Sequence, residues 1–417
     1  MKVASSTCCI TPKKKVTLGC NGFNQTLFES IDSDIEINAI RLIQNNTNVI
    51  MIAVDTLFVT NEIKTFAIDY LKDKLPIKED QIFIAASHTH YAPFLDASKP
   101  NLGSVDDEYM VFFKSQLSLL LDHLVQAEFI ECDLVYSESE TDEISVSRRK
   151  YAWGFWKRMV LRKWMRMFPN NNQAIDSKLR VFQLICKNTK QCMGLIWNFA
   201  CHPVMYHSPM NVSAHFPGDV RTGMRQVLGD IPVVFLQGFS GDVRPNNVDS
   251  GNSFKSMLLK RLNKAAEFQA FTQQTYKQWV ETLIQGSLGC IQKKYVELKP
   301  TEINTNHVNV PLEKLLIKGQ GSIYFHAIEL SNTHVILGVS AEVVSAYSIK
   351  LQAQYPNKII VPVGCIGTVF GYWPTKQMIS EGGYEVNGFK KGFSFEGEFN
   401  EDAIENAFFE SIKTLIK

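Results

Sequence analysis

Apolar and polar residues follow two different rhythms along this chain. Short, nearly unbroken apolar runs at 48–60, 82–86, 232–236 and 358–363 predict buried strands. Paired runs at 179–186 and 192–200, and at 322–330 and 334–339, predict strand hairpins. A three-to-four-residue apolar period predicts helices over 62–75, 109–129, 219–228, 254–284 and 401–417. Helices that alternate with strands and hairpins predict an α/β fold, a mixed β-sheet core flanked by helices, whose strand-end loops are where such folds place their chemistry. No internal repeat or low-complexity linker interrupts the pattern. Residues 1–417 are therefore expected to form a single domain.

One stretch breaks the rhythm. Residues 151–168 crowd Trp153, Phe155, Trp156 and Trp164 among Lys157, Arg158, Arg162, Lys163 and Arg166. Such amphipathic segments lie at a membrane interface, with aromatics at headgroup level and cations outward. A substrate lid, a protein contact or an ordinary helix with core aromatics are the alternatives.

Composition narrows the class. The chain has 417 residues, 45% hydrophobic and 20% charged, as in a soluble globular protein. Its net charge of +1 gives no hint of nucleic acid. No apolar run approaches the length of a bilayer span, and the first residues read as too polar for a signal peptide. The nine cysteines (Cys8, Cys9, Cys20, Cys132, Cys186, Cys192, Cys201, Cys290 and Cys365) show no Cys-x-x-Cys spacing. Free thiols in a reducing cytoplasm are expected, and peripheral attachment at the inner membrane face is compatible with residues 151–168. Cys201 reads as a small buried thiol, with ligand or nucleophile as the alternative.

The chemistry gathers at strand ends. The strand 82–86 runs into Ser87-His88-Thr89-His90. A second strand delivers Asn198-Phe199-Ala200-Cys201-His202-Pro203, and a third leads to Gly241-Asp242-Val243-Arg244-Pro245-Asn246. Between them lies His215, at a turn into a helix.

These three motifs, in this order, resemble those of the neutral/alkaline (non-lysosomal) ceramidase family. Ile10-Thr11-Pro12 with Leu18-Gly19 is similar to that family's N-terminal signature. Gly371-Tyr372-Trp373-Pro374-Thr375, followed by Gly382-Gly383-Tyr384-Glu385, is similar to its C-terminal one. The likeness runs from about residue 10 to about 390 and implies the family's catalytic domain, without a separate C-terminal domain. It also implies a Zn2+-dependent amide hydrolase, with His88, His202, Glu342 and Tyr372 as metal ligands. Two imidazoles and two oxygens suit zinc. The resemblance further implies that His90 serves the attacking water or the leaving amine. Arg148 and Tyr384 would stabilise the oxyanion, with Arg149 as the alternative register for the arginine.

The chain departs from the family at Arg244, where relatives carry serine. A serine nucleophile is impossible there, whereas a guanidinium suits an anionic substrate group or a structural salt bridge. His215 stands where relatives more often carry an acid. It reads as a substrate contact or a second-metal ligand, with a capping or surface histidine as the alternative. The expected partner is an N-acyl small molecule or lipid and not nucleic acid. An N-deacetylase of an N-acetylated amino sugar, nucleotide- or lipid-linked, is the near alternative. An inactive metal-binding homologue that acts as a binding protein is the distant one.

Overall fold

A computed structural model of the chain describes residues 1–19, 27–45, 47–141, 143–156, 160–248, 254–264, 266–293, 295–299, 302–317 and 321–416. Its largest sheet is mixed. The strands run in the order Val233–Gln237, Cys192–Phe199, Lys178–Cys186, Ile130–Glu140, Lys2–Cys9, Glu36–Gln44, Thr47–Val54 and Ile82–Ala86. The first pair and the last pair are parallel, and the strands between them pair antiparallel. Ile40, Met51, Phe83, Phe182, Ile196, Val234 and Leu236 come from strands across the whole sheet yet share one buried cluster. The sheet therefore bends on itself.

A second sheet runs Asn304–Pro311, Ser322–Glu329, His334–Val339 and Ile359–Val363. It closes against the first. Asn198 donates its amide to Leu236 O and Pro362 O, and Gly364 N donates to Gln237 O. Five strand ends, at Ala86, Phe199, Gln237, Val339 and Val363, meet in this way. Strands covered on both faces need no polar alternation, which is why Ile82–Ala86 and Val233–Gln237 are wholly apolar up to their last residue.

Helices cover the outside. Asp107–Gln126 starts at Asp106, whose side chain accepts from Tyr109 N, and buries Phe113, Leu117, Leu120, Leu121 and Leu124 on one face. Asn61–Leu71 starts at Thr60 in the same manner. The strand expected over 48–60 thus stops at Val54, because its last residues form a loop and a helix cap. The helix expected over 254–284 is two helices, Phe254–Asn263 and Gln273–Gln292. Phe271 docks between them, its N–H on Met205 O, and Thr272 caps the second.

The described residues of 151–168 are not helical. They belong to a hairpin of Ser145–Trp156 and Val160–Asn170, which pairs along Val243–Pro245. Tyr151 and Trp153 are exposed while Ala152 and Gly154 are buried, a period of two. Lys157 and Arg158 lie outside the described residues, as does Cys20. The sequence pattern also missed Lys2–Cys9, Glu36–Gln44 and Ile130–Glu140, whose polar residues masked the strand period. The eight described cysteines are free, and Cys201 is fully buried in an apolar cluster that raises its thiol pKa well above the ordinary value.

Candidate metal centre

The backbone leaves the extended conformation after Ser87, where His88 takes a left-handed φ of 64°. A non-glycine residue held there carries local strain, a feature that gathers at functional sites. The rings of His88 and His90 lie 5.1 Å apart, centroid to centroid, and nearly perpendicular. His202, from the end of Cys192–Phe199, brings its ring to 4.9 Å from His88 and 6.0 Å from His90. One ring nitrogen from each of these three histidines falls within 4.8 Å of the other two, a group that could hold a metal ion.

Glu342 completes the cluster from a separate two-stranded sheet that follows His334–Val339 in the chain. Its Oε2 lies 3.0 Å from His202 Nε2 and 3.6 Å from His88 Nε2. Glu342–Val343 pairs in parallel with Tyr372–Trp373, and the register sets Glu342 directly opposite Tyr372. Two residues thirty positions apart thus become neighbours through two backbone bridges. Gly241 makes room for this pair, since a Cβ there would stand 2.6 Å from Glu342 O.

The hydrogen bonds fix how the imidazoles present themselves. His88 Nδ1 is 3.0 Å from Leu57 O, and His202 Nδ1 is 2.7 Å from Ser240 O. A carbonyl only accepts, so each Nδ1 carries the proton and donates it. Each Nε2 is then turned toward Glu342, the arrangement that orients metal-binding histidines. His88 Nε2 is buried and has no hydrogen-bond partner. Burial alone would raise the Glu342 carboxyl, but His88 and His202 hold it well below the usual carboxylate range. Burial disfavours charge on His88, yet Cys365 and Glu342 outweigh it and raise its pKa. Burial takes His202 down to about 4. The pocket therefore draws one positive charge among these atoms: a proton, or a divalent cation in its place. This donor set fits a metal.

A cleft of about 280 Å³ opens above the cluster. Its wall includes His90, Arg148, His202, Arg244, Tyr372 and Tyr384. His90 stays neutral, because burial and then the two other histidines hold its pKa well below the ordinary value. Burial and Glu342 keep Tyr372 a phenol, opposed by Arg148. Arg148 donates from Nη2 to Tyr372 OH at 3.2 Å and from Nε to Glu385 at 2.7 Å. Tyr384 packs edge-on against Tyr372 at 5.6 Å and beneath the Arg148 guanidinium.

The structure separates Arg148 from Arg149. A register shift between Ser147 and Arg149 sends Arg148 into the cleft and Arg149 outward to Glu381 and Gly382 O. Glu385 binds both guanidiniums and is almost wholly buried. Sequence reasoning assigned Glu385 no role, although two adjacent arginines on one strand called for a buried anion. The carbonyls of Leu57 and Ser240 were missed too, because backbone groups leave no trace in side-chain identity. His215 is not brought to the cleft. It is buried, stacked on Tyr91 at 5.5 Å and surrounded by Tyr206, Phe216 and Tyr276.

No family model matches the sequence, and no curated protein matches it. The fold does match. The neutral ceramidase of Pseudomonas aeruginosa superposes with a TM-score of 0.74 over 99% of this chain and 73% of its own, at 12% identity. A ceramidase complexed with C2 gives a TM-score of 0.73 over 97% of this chain and 73% of its own, also at 12% identity. The chain has the neutral-ceramidase fold.

Proposed function

We propose that the chain is a zinc-dependent amide hydrolase acting on an N-acyl substrate, as one ceramidase-like catalytic domain. One observation carries this reading. Three strand ends and a two-residue bridge gather His88, His202 and Glu342 under a cleft faced by His90, Arg148, Tyr372 and Tyr384. The shared fold supports it.

His88, His202, Glu342 and Tyr372 would hold the ion, which when bound supplies Lewis acidity and lowers the pKa of water to about 7. The chain's own residues do the rest. Neutral His90 accepts the proton of the attacking water and returns it to the departing amine, so the cycle closes without net change. The Arg148 guanidinium and the Tyr384 hydroxyl donate to the oxyanion that develops on the carbonyl. Glu385 fixes Arg148 in place for that role.

A second reading, an N-deacetylase, rests on cleft size. About 280 Å³ lies at the lower edge of small-molecule pockets, which favours a short acyl group. Peripheral membrane contact belongs to the proposal as well. Between 145 and 170 there are eight Lys/Arg and no Asp/Glu, and between 254 and 263 three and none. The hairpin and the helix Phe254–Asn263 are joined through Asn263, which bonds Trp153 and Lys150. Their exposed Trp153, Leu161, Phe254 and Met257 sit among Arg162, Lys163, Lys255 and Arg261, a surface complementary to anionic lipid. The free cysteines support a reducing compartment, the cytoplasm in this proposal. Among the described residues no helix is long and apolar enough to cross a membrane.

The deciding experiment is elemental analysis of the purified protein beside His202→Ala, with release of free amine from short and long N-acyl substrates. About one zinc per chain, lost together with hydrolysis in the variant, is expected. Full metal and full activity in His202→Ala would sink the site assignment.

A further inference from the structure

Arg244 is the residue that the amidase chemistry leaves unexplained. It sits on Val243–Pro245, opposite Val146, and its side chain forms part of the cleft wall. Its five N–H donors find little there. Among the described residues Nη1 reaches only the Met167 thioether at 4.0 Å, the guanidinium lies 5.4 Å over the Phe268 ring, and the buried Nε has no hydrogen-bond partner. Among the described residues no carboxylate lies within 4.0 Å of it, whereas the neighbouring Arg148 is neutralised by Glu385. Burial and then Arg148 pull the Arg244 pKa down to about 10, so the group is charged at neutral pH.

Arg244 is half-buried, with Nε turned inward and without a partner among the described residues, and a charge held in this way is costly until a ligand supplies its partner. A structural role would require an anion from the protein, and none lies within 4.0 Å among the described residues. A substrate group is a partner that the cleft admits. The cleft is small, and Arg244 shares it with His90 and Tyr384. The anion must then lie within a few bonds of the scissile amide.

We infer that the substrate is an amide whose amine part carries an oxyanion close to the nitrogen, as in an N-acyl amino acid, and that Arg244 binds that oxyanion. This rests on the amide-hydrolase reading and narrows it. Ceramide, whose polar part is neutral, would leave Arg244 unpaired. A carboxylate offers the guanidinium a two-point contact; a sulfonate or phosphate monoester offers comparable oxygens.

The test compares the amides of glycine, taurine and O-phosphoethanolamine with the neutral amide of ethanolamine, each as the N-acetyl and the N-dodecanoyl compound. Each is given to the zinc-loaded protein and to Arg244→Met and Arg244→Lys. Thermal shift with the same compounds provides a readout independent of turnover. At least one anionic amide is expected to exceed the neutral one in kcat/KM. That preference should fall by about 10- to 100-fold in Arg244→Met and be partly kept in Arg244→Lys. The preferred anion identifies the headgroup. Equal use of neutral and anionic amides, with the ratio unmoved in Arg244→Met, overturns the inference and leaves the amidase intact. Anion-dependent thermal stabilisation that Arg244→Met abolishes, without hydrolysis of any amide, keeps the anion site and overturns the amidase. Neither binding nor hydrolysis overturns both.

Discussion

At the scale of single residues, the site is a set of charges that need one another. Glu385 is the clearest case, because from a buried position it binds both Arg148 and Arg149. Removing it leaves Arg148 without its carboxylate and Arg149 with Glu381. Glu385→Ala is expected to cost about 3–5 kcal/mol of stability, read by urea denaturation. Turnover should fall further than the remaining folded fraction explains, because Arg148 would lose its anchor. His90 makes a sharper distinction. It belongs to the three-histidine group but not to the pair that contacts Glu342. His90→Ala should keep the metal and lose most turnover. Loss of metal instead would make His90 a ligand and displace it from proton transfer. The motif order made both histidines legible in the sequence. Glu385 was not, because its role depends on which strand passes beside it.

At the scale of elements, short backbone bridges do the positioning. The pair Glu342–Val343 and Tyr372–Trp373 is two residues long and is held against the loop at Gly241. Gly241→Ala pushes a Cβ into Glu342 O, and metal binding should weaken by about 10- to 100-fold, measured by competition with a chelator. Unchanged affinity would show that the bridge relaxes freely. A second element contact sets acid stability. Arg221 and Arg225, on His215–Leu228, bind Glu36 on Glu36–Gln44. Burial would raise the Glu36 carboxyl, yet Arg221 and then Arg225 bring it down to about 2. A carboxylate depressed in the folded state stabilises the fold above its unfolded pKa, near 4.5. That stabilisation is lost as pH falls from there toward 2. Glu36→Gln should therefore lower stability at pH 7 by a few kcal/mol, roughly 3 from the shift, and flatten its decline between pH 5 and 3. A parallel decline in both proteins would remove Glu36 from the acid response.

At the scale of the whole molecule, the cleft and the basic, aromatic hairpin belong to one continuous element. Arg148 lies near the base of Ser145–Trp156 and in the cleft wall, and Trp153 lies exposed further along the same strand. Sedimentation with vesicles of phosphatidylserine and phosphatidylcholine should capture the protein, while phosphatidylcholine alone should not. Replacing Arg162, Lys163, Lys255 and Arg261 by Gln should release it, at about 1 kcal/mol per cation. Binding that ignores lipid charge would rule out this surface. The sequence by itself determined what depends on local order: the buried strands, most helices, and the histidines at strand ends. An apolar run reports its burial and a motif reports its spacing wherever the chain later goes. Only the tertiary structure decided which of these residues meet. The left-handed turn at His88, the register of Glu342 with Tyr372, the choice of Arg148 over Arg149 and the withdrawal of His215 into an aromatic cluster all follow from backbone pairing between distant segments. The hairpin at 151–168 belongs with them, since its aromatic and basic residues satisfy a strand or a helix equally well until a partner strand is beside them. Long-range pairing is the contribution that no local pattern contains.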